Sequence, residues 1–489
     1  MAKICLSVHE ASTEQMWRTI QDEKKLFDMV ELRIDGLTEI NKTEISELVK
    51  KIKNENLPIL WTVRWANENG DFKASEEERL KALSFGDQLG VDYVDIEYES
   101  NLWKNCKLNS AKLILSYHNF EKTEDNLLIK IQDMEKAGAN IVKVAYNALS
   151  TNDLFKVCQL YGAIDTPLIA IAMGEFGEPS RILPALKNLP WSYAASGKNS
   201  TAPGQISAYS LKNLYRFDKI NNQTQAYCVI GDPVSHSLSP YIHNTHYVNE
   251  NINAVYVKIH VDQMEPFYSL VDFFGIQGVS VTVPHKDKIL AKAEPKHWLH
   301  KVGAANTLEK NKGEWIVDNT DIAAAIESIE CLLQVDKPKV LLLGAGGAAK
   351  GLAWGMSRKG WKMTIANRSI EKAQSLCEQI DAEILGWNDR NAHGFDVIVN
   401  CTTLGMEPNI DSTPMEFEGS HAGLIVFDTV YTPENTLFLS LAREVGAHTI
   451  SGREMFYRQA AFQHAQWFKQ NPPFEQMSII MDQLSEISS

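Results

Sequence analysis

The chain is 489 residues long, more than one hydrophobic core normally serves, so two or three domains are expected. Its 44% hydrophobic and 22% charged residues are those of an ordinary globular protein, and a net charge of −14 with no compensating basic stretch excludes a general nucleic-acid binder while leaving room for small cationic pockets. The seven scattered cysteines form no C-x-x-C pair or zinc-like spacing, which suits a reducing cytosol and no metal; with no targeting segment and no apolar run of membrane-spanning length, a cytoplasmic protein without a membrane partner is expected.

Over the first 220 residues, short apolar runs alternate with amphipathic segments. The runs are KICLSV (3–8), MVELR (29–33), ILWTV (59–63), YVDIE (93–97), KLILSY (112–117), NIVKVA (140–145), PLIAIA (167–172) and WSYAA (191–195). Helix-like stretches such as TEISELVKKIKNENL and EEERLKALSFGDQLG lie between most of them, making eight strand-helix units, the usual size of a (β/α)8 TIM barrel. In such a barrel the catalytic groups stand at the C-terminal ends of the strands. That is where the unusual polar residues fall: Glu31 and Arg33 on the second run, Arg64 after the third, Asp95 and Glu97 on the fourth, His118 after the fifth, Lys143 in the sixth, and Arg181 beyond the seventh.

Lys143 decides the chemistry expected here. It is the one charge in an otherwise apolar strand, and a desolvated lysine is an amine nucleophile for a ketone. The resulting protonated Schiff base acidifies the neighbouring C–H, His118 is placed to take that proton and later protonate a leaving hydroxyl, and Arg64 and Arg181 suit a substrate carboxylate. The alternatives are a snorkelling strand-end lysine and a structural histidine.

The segments ELRID (31–35), TVRWANE (62–68), DIE (95–97), SYHNF (116–120), IVKVA (141–145), AMGEFGEPSR (172–181) and TAPGQ (201–205) resemble the type I 3-dehydroquinate dehydratases in order and spacing. The resemblance implies that Lys143 forms an imine with the ketone, His118 is the general acid/base, and Glu68 orients His118. It further implies that Glu31, Arg33, Arg64, Arg181 and Gln205 bind hydroxyls and carboxylate, with Thr201 standing where the family often has serine.

The polar stretch FDKINNQTQ (217–225) reads as a linker into a second α/β region with strands beginning at AYCVIGDP and at AVYVKI (254–259), GVSVTV (278–283) and NTLEK (306–310). KVLLLGAGGAAKG (339–351) is a strand, glycine turn and helix, in which Gly344, Gly346 and Ala349 fit G-x-G-x-x-[GA] with Gly347 beside them, so a Rossmann fold is expected. Strands KMTIAN (362–367), DVIVNC (396–401) and LIVFDTV (424–430) continue it. The second of its strands ends in ANRS rather than in an acid, so Arg368, with Asn367 and Ser369 as neutral donors, favours NADP over NAD.

Ahead of that fold lie Ser237 and Ser239 in GDPVSHSLSP, two apart and on one side if extended, then Lys286 in VTVPHK, Asn306 in GAANTL and Asp321 in DNTD. Hydroxyls, amide, ammonium and carboxylate together suit a small polyol. With NCTTLGM (400–406), FDTVYTP (427–433) and SGREMFYRQA (451–460), these motifs resemble shikimate dehydrogenase. That resemblance implies Lys286 and Asp321 as the catalytic pair, Ser237, Ser239, Thr282, Asn306, Asp321 and Gln459 around the substrate, and Gly452 among the cofactor positions. Ile322 and Ala460 depart from it, standing where glycine is usual.

The expected arrangement is a dehydratase barrel over 1–220, a substrate domain over 225–322 completed by C-terminal helices at about 455–489, and a Rossmann NADP-binding domain over 323–454. Two consecutive steps of the shikimate pathway follow, with 3-dehydroquinate and 3-dehydroshikimate as substrates. The competing readings are an NAD-dependent quinate/shikimate dehydrogenase joined to a Schiff-base lyase, and a catalytically dead sensor of quinate-type metabolites.

Overall fold

The computed structural model describes residues 2–197, 204–293 and 297–488. They divide into two compact units, Met1–Ile276 and Gln277–Ser489.

The first unit opens with strands β1 (Lys3–Val8), β2 (Met29–Arg33), β3 (Ile59–Thr62), β4 (Tyr93–Glu97), β5 (Lys112–Asn119), β6 (Ile141–Asn147), β7 (Leu168–Met173) and β8 (Trp191–Ala195). Every paired neighbour is parallel, in the order β7-β6-β5-β4-β3-β2-β1-β8, which makes a nearly closed barrel. Strands such as ILWT and LIAIAM are buried throughout, as parallel strands covered on both faces must be.

Helices α1 (Thr13–Asp22), α2 (Lys42–Asn54), α3 (Glu76–Gln88), α4 (Leu127–Lys136) and α5 (Thr151–Cys158) form the outer layer. Ser12, Asn41 and Ser150 cap α1, α2 and α5 with side-chain oxygens, and Ser75 with Glu78 makes a capping box on α3. Two crossovers lack the α-helix that eight regular units imply. After β4 the chain makes short 3-10 turns around Asn101, which is left-handed at φ 56°, and after β7 Pro179 and Pro184 restrict it to 3-10 turns.

The same unit continues with β9 (Gln225–Gly231), α6 (Ser239–Asn249), β10 (Ala254–His260) and α7 (Met264–Phe274), a βαβ element whose strands pair in parallel from Gln225↔Ala254 to Gly231↔His260. It is fastened to the barrel where α7 packs on α5 and Asp262 accepts from Thr151 N and Oγ1 at 2.9 and 2.6 Å.

In the second unit, β11 (Ile276–Val281), β12 (Thr307–Asn311) and β13 (Glu314–Asp318) run antiparallel. Between and after them come α8 (His297–Val302) and α9 (Thr320–Glu330). A six-stranded parallel sheet follows, in the order β16-β15-β14-β17-β18-β19: β14 (Lys339–Leu343), β15 (Lys362–Ala366), β16 (Glu383–Leu385), β17 (Val397–Asn400), β18 (Ile425–Asp428) and β19 (His448–Ile450). Its helices are α10 (Gly347–Arg358), α11 (Ile370–Ile380) and α12 (Leu437–Glu444), with core clusters on both faces of the sheet. Strand order reverses beside β14, which opens the crevice where doubly wound folds bind ligands.

The chain ends in α13 (Gly452–Phe468) and α14 (Phe474–Ser488). Helix α13 lies against the antiparallel strands: Gln463 Nε2 donates to Thr307 Oγ1 at 3.0 Å, its Oε1 accepts from Ser280 at 2.7 Å, and Trp467 Nε1 donates to Leu308 O at 3.2 Å.

Candidate active sites

Lys143 stands on β6 in register with Ser116 of β5, and the alternation of each strand turns these side chains into the barrel. Its Nζ donates to Asp95 Oδ2 at 3.0 Å, lies 3.9 Å from Glu31 Oε1, and sits 4.4 Å from the centre of the Tyr193 ring. The bland reading of a lysine snorkelling to water does not hold, since the residue is 5% exposed. Glu31 is itself fixed by Ser7 and Thr62, which donate at 2.5 and 2.9 Å.

Arg64 lies behind this pair with Asp95 at 3.0 Å, Glu97 at 3.1 Å and Ser116 Oγ at 2.9 Å. Its guanidinium is paired with two strand-end carboxylates while also lining the cleft. Arg33 is similarly held by Asp35 at 2.9 and 2.6 Å. Arg181, 2% exposed at the end of the turn after β7, is a further deep cation, and burial pushes its guanidinium down to about 10.

His118 stands on β5, the strand next to the one that carries Lys143. Its Nδ1 is 2.8 Å from Glu68 Oε2, which leaves Nε2 as the nitrogen available for proton transfer. Burial, with the charges of Arg64 and Lys143, holds the imidazole well below its ordinary value, so it is neutral at pH 7. Burial also lifts the Glu68 carboxyl to about 7, against the pull of Arg64. Burial works against ionisation of Asp95 too, but there Arg64 and Lys143 prevail and keep it a carboxylate far below the usual range.

Glu31, Arg33, Arg64, Glu68, His118, Lys143, Arg181 and Gln205 line one cleft enclosing ≈ 560 Å³ of space continuous with solvent, so the barrel brings all of these expected residues together. Thr201 lies outside the described residues. What sequence reasoning missed is the role of Asp95 as counter-ion to both Lys143 and Arg64. The signal available was physical: a buried ammonium and a buried guanidinium require a carboxylate, and D-I-E turns Asp95 and Glu97 to one side of β4.

In the second unit, Lys286 Nζ donates to Asp321 Oδ2 at 2.7 Å, with side chains 33% and 19% exposed, so the pair is accessible. Asp321 occupies the first turn of α9, where the helix dipole favours a carboxylate. Asn306 is 3% exposed; its Oδ1 accepts from Thr320 N at 2.8 Å and from Thr307 Oγ1 at 2.8 Å, and its Nδ2 donates to Thr320 Oγ1 at 3.0 Å. Asn306 therefore anchors the N-terminus of α9, and with it Asp321. The Thr282 carbonyl accepts from His285 N at 3.0 Å in the turn leading to Lys286, and Gln459 Nε2 donates within its own helix to Phe456 O at 2.9 Å.

Ser237 and Ser239, in the first unit, do not share an extended face. Leu238 between them is right-handed helical, and Ser237 Oγ accepts from Ser239 N at 3.3 Å, because the chain is already turning into α6 with Pro240 in its first turn.

The glycine turn follows β14. Gly344 is left-handed at φ 114°, and a Cβ on it would press on the Cys401 carbonyl at 3.1 Å. Above Gly346 and Gly347 the structure has open space, with no atom within 4 Å of an added Cβ, at the N-terminus of α10. A shallow cradle of backbone N–H groups at a helix N-terminus fits a dinucleotide diphosphate. At the end of β15 Arg368 is exposed and makes no ion pair among the described residues, and Asn367 Nδ2 donates to Ser369 O at 2.7 Å. Ser369 Oγ donates to Glu371 Oε2 at 2.7 Å, so Arg368 is the exposed cation at the end of this strand. Gly452 has a steric role, since a Cβ there would lie 2.5 Å from the Val430 carbonyl where α13 begins.

Comparison with known proteins agrees along the chain. Residues 4–222 match the type I 3-dehydroquinase family, 229–308 the shikimate dehydrogenase substrate-binding domain, and 326–427 the shikimate/quinate 5-dehydrogenase family. A chloroplastic bifunctional 3-dehydroquinate dehydratase/shikimate dehydrogenase of Arabidopsis thaliana is 36% identical over 94% of this chain and 80% of its own length. The shikimate biosynthesis protein AroDE of Chlamydia trachomatis is 26% identical over 95% of this chain and 94% of its own. Among solved structures, a shikimate dehydrogenase in complex with NADP+ is 32% identical over 54% of this chain and 97% of its own, with a TM-score of 0.51.

Proposed function

The chain belongs to the bifunctional 3-dehydroquinate dehydratase/shikimate dehydrogenase family, and we propose that Lys143 and the Lys286–Asp321 pair carry its two reactions. It dehydrates 3-dehydroquinate to 3-dehydroshikimate and reduces that product to shikimate with NADPH, two consecutive steps of the shikimate pathway.

The observation that carries the first assignment is the buried Lys143 ammonium held by Asp95 in a cleft with a neutral His118. As the free amine, Lys143 adds to the ketone carbon; the carbonyl oxygen takes one proton from that nitrogen and one from solvent and departs as water, leaving an iminium. The iminium draws electrons from the adjacent C–H bond, whose proton passes to His118 Nε2 while Glu68 holds Nδ1. That proton then goes to the tertiary hydroxyl, which leaves as water with the C–O bonding pair as the ring double bond forms. A water molecule hydrolyses the iminium, releasing 3-dehydroshikimate, the free amine and one proton to solvent, so the net change is the loss of one water. Glu31, Arg33 and Gln205 meet the substrate hydroxyls, Arg181 its carboxylate, and Arg64 with Asp95 and Glu97 keeps the floor of the site in order.

For the second reaction, NADPH when bound supplies a hydride to the carbonyl carbon. Lys286 hydrogen-bonds the carbonyl oxygen and gives it a proton as negative charge develops. Asp321 orients Lys286 and accepts from a substrate hydroxyl, with Thr282 as a further contact; Ser237 and Ser239 are assigned to substrate binding by the shikimate dehydrogenase resemblance alone. The turn at Gly344, Gly346 and Gly347 would hold the diphosphate and Arg368 the 2′-phosphate. The domain limits that go with this reading are 1–220, 225–322 with about 455–489, and 323–454.

Among the described residues no helix is long and apolar enough to cross a membrane, and all seven cysteines are free, which is compatible with the reducing cytoplasmic setting proposed here.

Purified protein given 3-dehydroquinate and NADPH should consume NADPH. Borohydride added with 3-dehydroquinate should leave the ligand's mass on Lys143, because hydride converts an imine to a stable amine. Folded protein that leaves NADPH untouched, or an adduct on another lysine, overturns the reading.

A further inference from the structure

The turn after β7 that ends in Arg181 is held from outside the barrel. Glu178 Oε2 lies 3.3 Å from Lys258 Nζ, and Glu178 Oε1 accepts from Tyr215 OH at 2.6 Å. Two residues earlier, Phe176 stacks on His260 with ring centres 4.2 Å apart and planes 13° apart. Lys258 and His260 alternate on β10 and so face the same way. His260 Nε2 is 2.8 Å from Asp232 Oδ1, and its Nδ1 is 3.8 Å from Glu175 Oε2. Lys258 also reaches in the other direction, donating to the Ser235 carbonyl at 3.3 Å, two residues before Ser237. One half-buried ammonium thus joins the segment that ends in Arg181 to the turn that carries Ser237.

The connection extends to Gln205. Gly174, at the start of the clamped turn, packs so closely on Gly204 that a Cβ on Gly204 would lie 2.6 Å from the Gly174 carbonyl. Gly174, Glu178, Gly204, Ser235, Lys258 and His260 line a single cleft enclosing ≈ 570 Å³ of space continuous with solvent. Neither reaction described above uses Lys258 or His260.

We propose that Lys258 is a positioning residue for both reactions, acting through Glu178 on Arg181 and through the Ser235 carbonyl on Ser237, with His260 holding Phe176 against the same strand. The inference rests on the reading that Arg181 and Ser237 hold substrate. Substrate binding at each site then depends on β10, a strand of the substrate-binding domain none of whose side chains is assigned a part in either reaction. An ammonium donor held between a carboxylate and a carbonyl cannot be replaced by an apolar chain of the same length without releasing both.

The test is Lys258→Met, which keeps the stem and removes the charge, in the full-length protein. KM for 3-dehydroquinate and KM for 3-dehydroshikimate should each rise about three- to tenfold, the size expected when a charge-assisted hydrogen bond is lost, with both kcat values and the KM for NADPH kept. Lys258→Arg should restore both. Glu178→Gln should raise only the 3-dehydroquinate KM, and adding Lys258→Met to it should then raise only the 3-dehydroshikimate KM, because the first contact is already gone. A lowered melting temperature with both KM values unchanged, or a loss of kcat that Lys258→Arg does not recover, overturns the proposal. Arg181→Ala and Ser237→Ala separate the causes: if these leave the KM values unchanged, the substrate-binding reading has failed; if they raise them while Lys258→Met does not, only the role of Lys258 has failed.

Discussion

A carboxyl group 2.8 Å from an imidazole nitrogen decides which ring nitrogen carries the proton, and in the Glu68–His118 pair that decision depends on pH. Burial places the Glu68 carboxyl at about 7. Above that pH it is a carboxylate accepting from Nδ1–H, and Nε2 is a free base. Below it Glu68 is an acid that donates to Nδ1, the ring proton moves to Nε2, and the base is lost. Dehydratase kcat/KM should therefore rise with pH through about 7 to a plateau. In Glu68→Gln the amide oxygen accepts from Nδ1–H at every pH, so the limb should vanish; if pH–rate profiles keep it unmoved in the variant, Glu68 is not its source. His118 cannot supply it, because burial and Arg64 hold its own ionisation well below 6.5. At the other site, Arg368→Ala should weaken NADPH by about one to two decades and leave NADH nearly unchanged, as loss of a contact to a phosphate implies. Equal losses in a binding titration would remove Arg368 from 2′-phosphate recognition.

At the scale of elements, the departure at Ile322 has a structural answer. Ile322 is 6% exposed on α9 and fills a notch in α10 made by Gly351 and Gly355; a Cβ on Gly355 would lie 2.3 Å from Ile322 Cγ2. The larger residue that replaces glycine on one helix is accommodated by glycines on the other. Gly355→Ala should cost about 1–3 kcal/mol by overpacking. Combined with Ile322→Ala, it should cost less than the sum of the single changes, and denaturant titration of the three variants tests this; additive losses would mean that the two positions do not meet. The same scale shows where local pattern falls short. Buried strands such as β1, β2, β4 and β8 follow their apolar runs, whereas β13, β16 and β19 are absent from the reading of the sequence. Strands β16 and β19 have three residues each, too few for a periodicity, and β13 is short and partly exposed, folded back by a turn with Lys312 and Gly313 at φ 51° and 88°.

For the whole molecule, the two reactions are assigned to residues far apart in sequence with separate roles, so their losses should be separable. Lys143→Ala should fail on 3-dehydroquinate and still reduce 3-dehydroshikimate, while Lys286→Ala should do the reverse. Mixed together, the two proteins should regain NADPH consumption from 3-dehydroquinate, since 3-dehydroshikimate released by one is substrate for the other. A silent mixture of proteins that each retain their remaining activity would contradict the assignment.

The sequence by itself determined the barrel, the Rossmann fold and the residue types at the strand ends. Each is written locally: buried parallel strands are continuous apolar runs, a dinucleotide turn needs its glycines in place, and a charge inside such a run stands out. Tertiary structure alone decided which charges meet. Asp95 is 48 residues from Lys143, Glu68 is 50 from His118, and the Glu178–Lys258 pair spans a longer stretch still. No periodicity encodes such pairs, and electrostatic effects depend on distance in space and on exclusion of water, so the commitment of Arg64 to Asp95, the neutrality of His118 and the clamp on Arg181 exist only once the strands are closed side by side.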